Sequence, residues 1–316
     1  MNFSSGVHYS NDKTKVVFIM GATGTGKTKL SIDLATHFSG EIINSDKIQV
    51  FKGLDIASNK ITESERRDIP HHLLGVLDPD ADFTAEDFCH HTLRAIDKII
   101  ENGHLPIIVG GSNTYIEALV EDPMIKFTTK FDCCFLWMDV SLPVLYKYVG
   151  KRVDQMVGAG LVDETRKMFV PGADYSRGIR RAIGAPELDY YFQVEQQLED
   201  DEIGRKMLLE DAIQEVKDNT CKLVNKQLEK IKRLRNEVGW DIHRIDATHV
   251  FESSGKEAKD AWEEVVLKPS LVIVDDFLKG CKREISREEA FPISWLNFLR
   301  NLLLPVARRM KEMIRV

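Results

Sequence analysis

Eight residues constrain this chain more than any others: Gly21-Ala22-Thr23-Gly24-Thr25-Gly26-Lys27-Thr28 reads GxxxxGK[ST] in full. Ahead of it, residues 15–20 (KVVFIM) form a short β-branched, apolar run of strand character, and behind it residues 27–38 carry the apolar spacing of an amphipathic helix. In a strand–loop–helix of this kind the glycines let backbone N–H groups converge on phosphate oxygens. The helix amino terminus adds positive potential, Lys27 neutralises charge and Thr28 can ligate Mg²⁺. The segment therefore predicts a bound di- or triphosphate, and leaves open which bond is broken.

The same alternation continues along the chain. Residues 41–45 (EIINS), 105–111 (LPIIVGG) and 135–140 (FLWMDV) read as strands, and 84–102 as a helix with Thr84 as its N-cap. Strands alternating with helices predict a P-loop α/β class: a parallel sheet covered by helices on both faces. From about residue 142 the strand signal fades into charged helical stretches, so a mainly helical insertion or lid is expected over 142–237. The expected organisation is thus a P-loop core over 1–141, that lid, a return to the core over 238–278 with strands at 241–246 and 271–274, and a C-terminal tail over 279–316. The acidic run 195–202 reads as a solvated junction. The tail is amphipathic, with Trp295, Phe298 and Leu302 to Leu304 broken by Pro305, and reads as a docking helix ahead of a membrane-surface element.

A formal net charge of −7 and a pI near 5.8 give no global basic field for nucleic acid, so any bound anion must be met by local groups. The five cysteines show no CxxC spacing, and neither disulfides nor zinc are expected. With no apolar run of membrane-spanning length and a polar start, the expectation is a soluble intracellular protein of plastid or cytoplasm, with no membrane partner.

Asp46, in Asn44-Ser45-Asp46, follows the second strand and belongs at a strand's carboxyl end beside the P-loop, as a Mg²⁺ ligand, a general base or a turn cap. Asp139 closes FLWMDV in Walker-B fashion, and Asp275 after LVIV mimics it. Asn59-Lys60-Ile61-Thr62 lacks the aspartate of a guanine-reading NKxD motif, which sets a GTPase aside. His71-His72 and His90-His91 lack a third ligand at metal spacing and read as packing or hydrogen-bonding residues. Residues 222–235 hold six basic side chains against one acidic, a solvated helix face or a surface for nucleotide phosphates.

The motifs GATGTGKT, INSDKIQVFKGLDIASNK, IPHHLLG, PIIVGGSNTYIEALV, RVDQMVGAGLVDE and GIRRAIGAPELDYYF, in this order, resemble the isopentenyltransferase family over about residues 15–278. That family includes tRNA dimethylallyltransferases and the plant adenylate isopentenyltransferases that begin cytokinin synthesis. The resemblance implies that the loop grips the diphosphate of dimethylallyl diphosphate, and that an adenine nucleotide (AMP, ADP or ATP) is the acceptor. It implies further that Asp46 takes the proton of the adenine amine and that Thr23 contacts the oxygen bridging allyl carbon and diphosphate. The substrate channel would include Gly110, Gly111, Ser112, Asn113 and Tyr115.

These roles suit the chemistry, because an aryl-type amine is a weak nucleophile that needs a proton acceptor, and a departing pyrophosphate gathers charge for Lys27, Mg²⁺ and an arginine to meet. Arg181, in RRAIG, is the arginine favoured at this stage, ahead of Arg180. The acidic pI, the stretch GIRRAIGAPELDYYF and the lack of a Cys/His finger beyond His249 favour a free nucleotide over tRNA, and a monomer is expected. The tail after residue 279 and the Ala185-Pro186 pair depart from the pattern. A small-molecule kinase using the same loop for ATP is the rival reading, separated by whether the γ-phosphate of ATP is consumed; a non-catalytic nucleotide-binding module is disfavoured by the joint presence of base, phosphate clamp and lid.

Overall fold

In a computed structural model, which describes residues 13–198 and 201–280, six parallel strands form one sheet in the order β3-β2-β4-β1-β5-β6. They are β1 (Thr14–Gly21), β2 (Gly40–Asn44), β3 (His71–His72), β4 (Leu105–Val109), β5 (Phe131–Asp139) and β6 (Ile242–Asp246). The chain divides after Val274 into two units, and the sheet belongs to the first. The tail residues Trp295, Phe298 and Leu302 to Leu304 and the cysteine Cys281 lie outside the described residues.

β1 is central, paired along its whole length with β5, from Thr14 opposite Phe131 to Gly21 opposite Met138, and with β4 on its other side. Val16 to Met20 are all fully buried. Since successive side chains point to opposite faces, a strand with no exposed position must be covered on both. That is why KVVFIM reads as a continuous apolar run. Phe18 stacks on Phe135 at 4.8 Å, joining β1 to β5 inside the core.

The helices Lys27–Phe38 and Ala85–Glu101 follow the expected spans, the second opened by a capping box in which Thr84 Oγ1 accepts from the Asp87 N–H and Asp87 accepts from Thr84. The span 142–237 carries the helices Leu142–Gly158, Leu161–Met168, Ala185–Val194 and Glu202–Arg233. The last has 32 residues, a rod of about 48 Å. Asp201 caps it by accepting from the Gly204 N–H at 2.8 Å. Of the expected acidic junction, residues 199–200 lie outside the described residues, while Glu195 accepts two hydrogen bonds from Arg166.

One expected strand is a helix. Residues 271–274 (LVIV) fall within Lys268–Lys279. The buried positions here are Val266, Ser270 and Val274, with Val272 47% exposed between them. Burial every fourth residue is helical spacing, and it decides against the β-branched composition of the run. Asp275 is therefore a helical residue that accepts from Lys279 Nζ at 2.5 Å, not the end of a strand.

Candidate functional site

The loops that follow β1, β2 and β4 gather at the carboxyl end of three neighbouring strands, where open α/β sheets place their ligands. The first is the P-loop. Gly26 caps the Lys27–Phe38 helix with a left-handed φ of 88°, and a Cβ there would press on the Trp262 ring at 3.0 Å. Glycine is thus needed for both conformation and space. Thr25 Oγ1 and Lys27 Nζ donate to the Ala22 carbonyl at 3.0 and 2.6 Å, which folds the loop around its own backbone. Burial drives the Lys27 ammonium down to about 7; Asp46 opposes that shift and Arg152 reinforces it.

Asp46 stands at the end of β2. Its Oδ1 accepts from the Ile48 N–H at 2.9 Å and the Gln49 N–H at 3.4 Å, while its own N–H donates to Asn44 Oδ1 at 3.1 Å. Asn44 in turn donates to the carbonyls of Leu73 and Asp46. The carboxylate is thereby held in one orientation, and Oδ2 accepts no hydrogen bond from the described residues. Gly110, after β4, explains how the loops come so close: a Cβ at this position would lie 2.6 Å from the Ser45 carbonyl carbon and 2.8 Å from the Asp46 nitrogen.

Two side chains from the helical span complete the cluster. Arg152, on the Leu142–Gly158 helix, donates from Nη2 to Thr23 Oγ1 at 2.7 Å. Burial pulls its guanidinium below the usual value, against the attraction of Tyr148 and Asp46. Gln227, on the Glu202–Arg233 helix, accepts from the Thr23 N–H at 2.8 Å and donates to the Gly111 carbonyl at 3.0 Å, tying the P-loop to the β4 loop. Around these residues lies a cavity of about 360 Å³ lined by Thr23, Lys27, Thr28, Asp46, Gly110 and Arg152 among others. A larger cavity of about 820 Å³ shares Thr28, Asn59, Arg152 and Gln155 with it.

Of the residues singled out from the sequence, Thr23, Gly24, Gly26, Lys27, Thr28, Asp46, Gly110 and Gly111 line the smaller cavity. Gly21, Ala22 and Thr25 are buried in the loop's support. Ser112 accepts from the Lys47 N–H at 3.0 Å. Asn113 donates to the Gln227 carbonyl at 3.2 Å, and Tyr115, stacked on Phe88, donates to the Phe83 carbonyl at 3.0 Å. These three brace the wall from behind. Arg181 donates from Nε to the Gly178 carbonyl at 3.1 Å and Arg180 pairs with Asp80; neither lines the two cavities.

Asp139 does close β5, but its Oδ2 accepts from Arg244 at 2.6 Å. Within the basic run 222–235, Lys230 and Arg233 both pair with Glu117. His72 bonds to Glu41 at 2.7 Å and His71 to the Ile69 carbonyl at 2.8 Å. Arg152 and Gln227 were missed by the sequence reading. A signal for the first existed: Tyr148, Arg152 and Gln155 form a polar stripe at i, i+4, i+7 beside the buried Leu145, Val149 and Val153.

Comparison with known proteins places relatives beside this chain. A family model described as IPP transferase matches residues 49–130 and 121–234. The chain is similar to adenylate isopentenyltransferase 5, chloroplastic, of Arabidopsis thaliana, at 54% identity over 86% of this chain and 82% of that one. It is similar also to adenylate isopentenyltransferase 3, chloroplastic, of the same plant, at 54% over 84% and 80%. Among solved structures, a eukaryotic dimethylallyltransferase acting on tRNA shares the fold with a TM-score of 0.72, at 24% identity over 87% of this chain and 82% of that one.

Proposed function

Since the chain belongs to the IPP transferase family, we propose that it moves the dimethylallyl group of dimethylallyl diphosphate onto the exocyclic amine of AMP, ADP or ATP, releasing pyrophosphate in the opening step of cytokinin synthesis. The observation that carries the reaction is that a carboxylate, Asp46, and a phosphate-binding loop line one small cavity. The choice of a nucleotide acceptor rests on the relatives named adenylate isopentenyltransferase, 54% identical over most of both chains.

The amine lone pair attacks the allylic carbon, the carbon–oxygen bond to the diphosphate breaks, and the amine proton passes to Asp46. With Oδ1 engaged by two backbone N–H groups, Oδ2 is left to accept that proton. An amine of low basicity gains most from an acceptor held in place beforehand. Thr23 is assigned to the bridging oxygen of the donor, and Lys27 with the loop's N–H groups to the diphosphate. The tightly supported P-loop suits diphosphate anchorage, and Gly110 and Gly111 let the Ser45–Asp46 backbone and the Gln227 side chain close up beside it.

The donors at the cavity edge fit a Mg²⁺ ion held mainly through substrate. Thr28 offers an exposed hydroxyl on both cavities, and no group of three His, Cys, Asp or Glu among the described residues forms a cage of its own. Mg²⁺ keeps several waters and takes phosphate oxygens in such settings. When bound, it would neutralise charge on the diphosphate. Among the described residues no helix is long and apolar enough to cross a membrane, and the chloroplastic relatives support the plastid as the compartment.

The test is to incubate the protein with Mg²⁺ and dimethylallyl diphosphate, offer AMP, ADP, ATP and unmodified tRNA in parallel, and follow prenylation by mass spectrometry. Free nucleotides should gain the group, and Asp46→Ala should lower turnover by roughly 10²- to 10⁴-fold. Modification of tRNA alone would overturn the acceptor, and loss of the γ-phosphate from ATP without prenylation would overturn the reaction.

A further inference from the structure

Lys27 and Arg152 line the same cavity, yet neither forms an ion pair with a carboxylate among the described residues. Arg152 has a single side-chain partner, the neutral hydroxyl of Thr23, and its Nε is buried with no hydrogen bond. A half-buried guanidinium with its Nε shut off from water and unpaired is costly, and a ligand that completes it removes that cost. Asp46 and Glu65 line the cavity too, but Asp46 Oδ1 accepts from backbone N–H groups and Glu65 from Thr62, so among the described residues neither cation is paired. The shortfall is local and faces the phosphate-binding loop.

Thr23 couples this cation to the loop. Its N–H is committed to Gln227 and its hydroxyl oxygen accepts from Arg152. A hydroxyl that accepts a hydrogen bond from a cation becomes a better donor and turns its own proton away from that cation. We propose that Arg152 is the catalytic residue that takes up the charge of the departing diphosphate, by contact with its oxygens and through the Thr23 hydroxyl on the bridging oxygen. As the carbon–oxygen bond breaks, its electron pair stays on that oxygen. Arg152 and Thr23 meet the new charge without moving, and no proton has to be transferred to the leaving group. This inference rests on the reaction proposed above and gives Arg152 the role expected of Arg181 from sequence.

The experiment separates the two. Inorganic pyrophosphate is titrated by calorimetry into the wild-type protein and into R152Q, R152K and R181Q, with Mg²⁺ and without acceptor; kcat and KM are then measured with dimethylallyl diphosphate and AMP. R152Q should bind pyrophosphate at least about tenfold more weakly and lose about 10²- to 10³-fold in kcat, with KM for AMP changed less than about threefold. R152K keeps the charge but not the fork, and should recover part of both losses. Should R152Q melt early, R152K and the pyrophosphate titration decide. Pyrophosphate affinity and kcat within about threefold of wild type in both Arg152 variants would overturn the proposal, as would loss of both in R181Q alone. Failure of the wild type to prenylate any nucleotide would strike the reaction and not the pyrophosphate arm, which needs no acceptor.

Discussion

Two charged clusters sit at opposite ends of β2, and they are built on opposite principles. At the amino end Glu41, only 3% exposed, is saturated: His72 bonds to one oxygen at 2.7 Å, and His104 at 2.6 Å and Asn102 at 3.4 Å to the other. At the carboxyl end Lys27 and Arg152 are left short of acceptors. A saturated cluster belongs to the folding of the sheet, because it gains nothing from a ligand. A deficient one stores a preference for whatever supplies the missing charge. Both draw charge in from the surface; what separates scaffold from site is whether the local charge is balanced.

Three measurements would break or sharpen that contrast. The largest effect is expected from pH. With its ammonium pushed down to about 7, Lys27 is charged below neutrality and loses its proton as pH rises, while a bound diphosphate favours the charged form. Donor kcat/KM should therefore fall as pH rises through about 7, approaching tenfold per unit. In Lys27→Arg, which stays charged, that limb should vanish. An unchanged pH profile in the variant would mean that the lysine is already balanced and that the carboxyl end resembles the amino end.

Next in size is Gln227→Leu, which leaves the Thr23 N–H and the Gly111 carbonyl without partners. We expect a loss of about tenfold or more in donor kcat/KM and about 2 kcal/mol of stability in denaturant titration. A loss of stability with kinetics intact would make Gln227 a strut and no more.

Smallest for activity is Glu41→Gln. Burial would raise this carboxyl, but hydrogen bonds from His104, His72 and Asn102 outweigh burial and hold it below its ordinary value. A lowered folded pKa means stability that is present above the unfolded carboxylate value and lost as pH falls through the folded one. Wild type should therefore lose stability on acidification below about pH 4 to 5. The variant should be less stable by about 2 kcal/mol at neutral pH and lack that slope, with kcat of the folded enzyme unchanged. A change in kcat would join the two ends and sink the contrast.

The sequence was informative where chemistry is local. The strand–loop–helix around residues 21–28 is legible because spacing, preceding strand and following helix occupy one contiguous stretch, and the position of Asp46 follows from the strand before it. β3 was not foreseen, since His71–His72 is too short to show any period. Residues 271–274 misled because β-branched composition pointed one way and four-residue burial the other. Arg152 and Gln227 lie 129 and 204 residues from Thr23, their shared partner; no local pattern reports a partner at that distance. Tyr115 shows the converse, since a residue beside the glycines of a channel can be turned wholly into its wall.

The long Glu202–Arg233 helix meets the P-loop through Gln227, near its carboxyl end. It also bonds, through Asn219, to Glu187 at 2.8 Å, and through Lys217 to Asp154 at 2.6 Å. It is a lever with its pivot at the P-loop. Some 38 Å separate Gln227 from the start of the rod, so a tilt of about 3° would carry the far end about 2 Å while leaving the loop almost still. Sequence change along the outer turns can thus shift the helices packed against the rod while the P-loop contact through Gln227 stays in place.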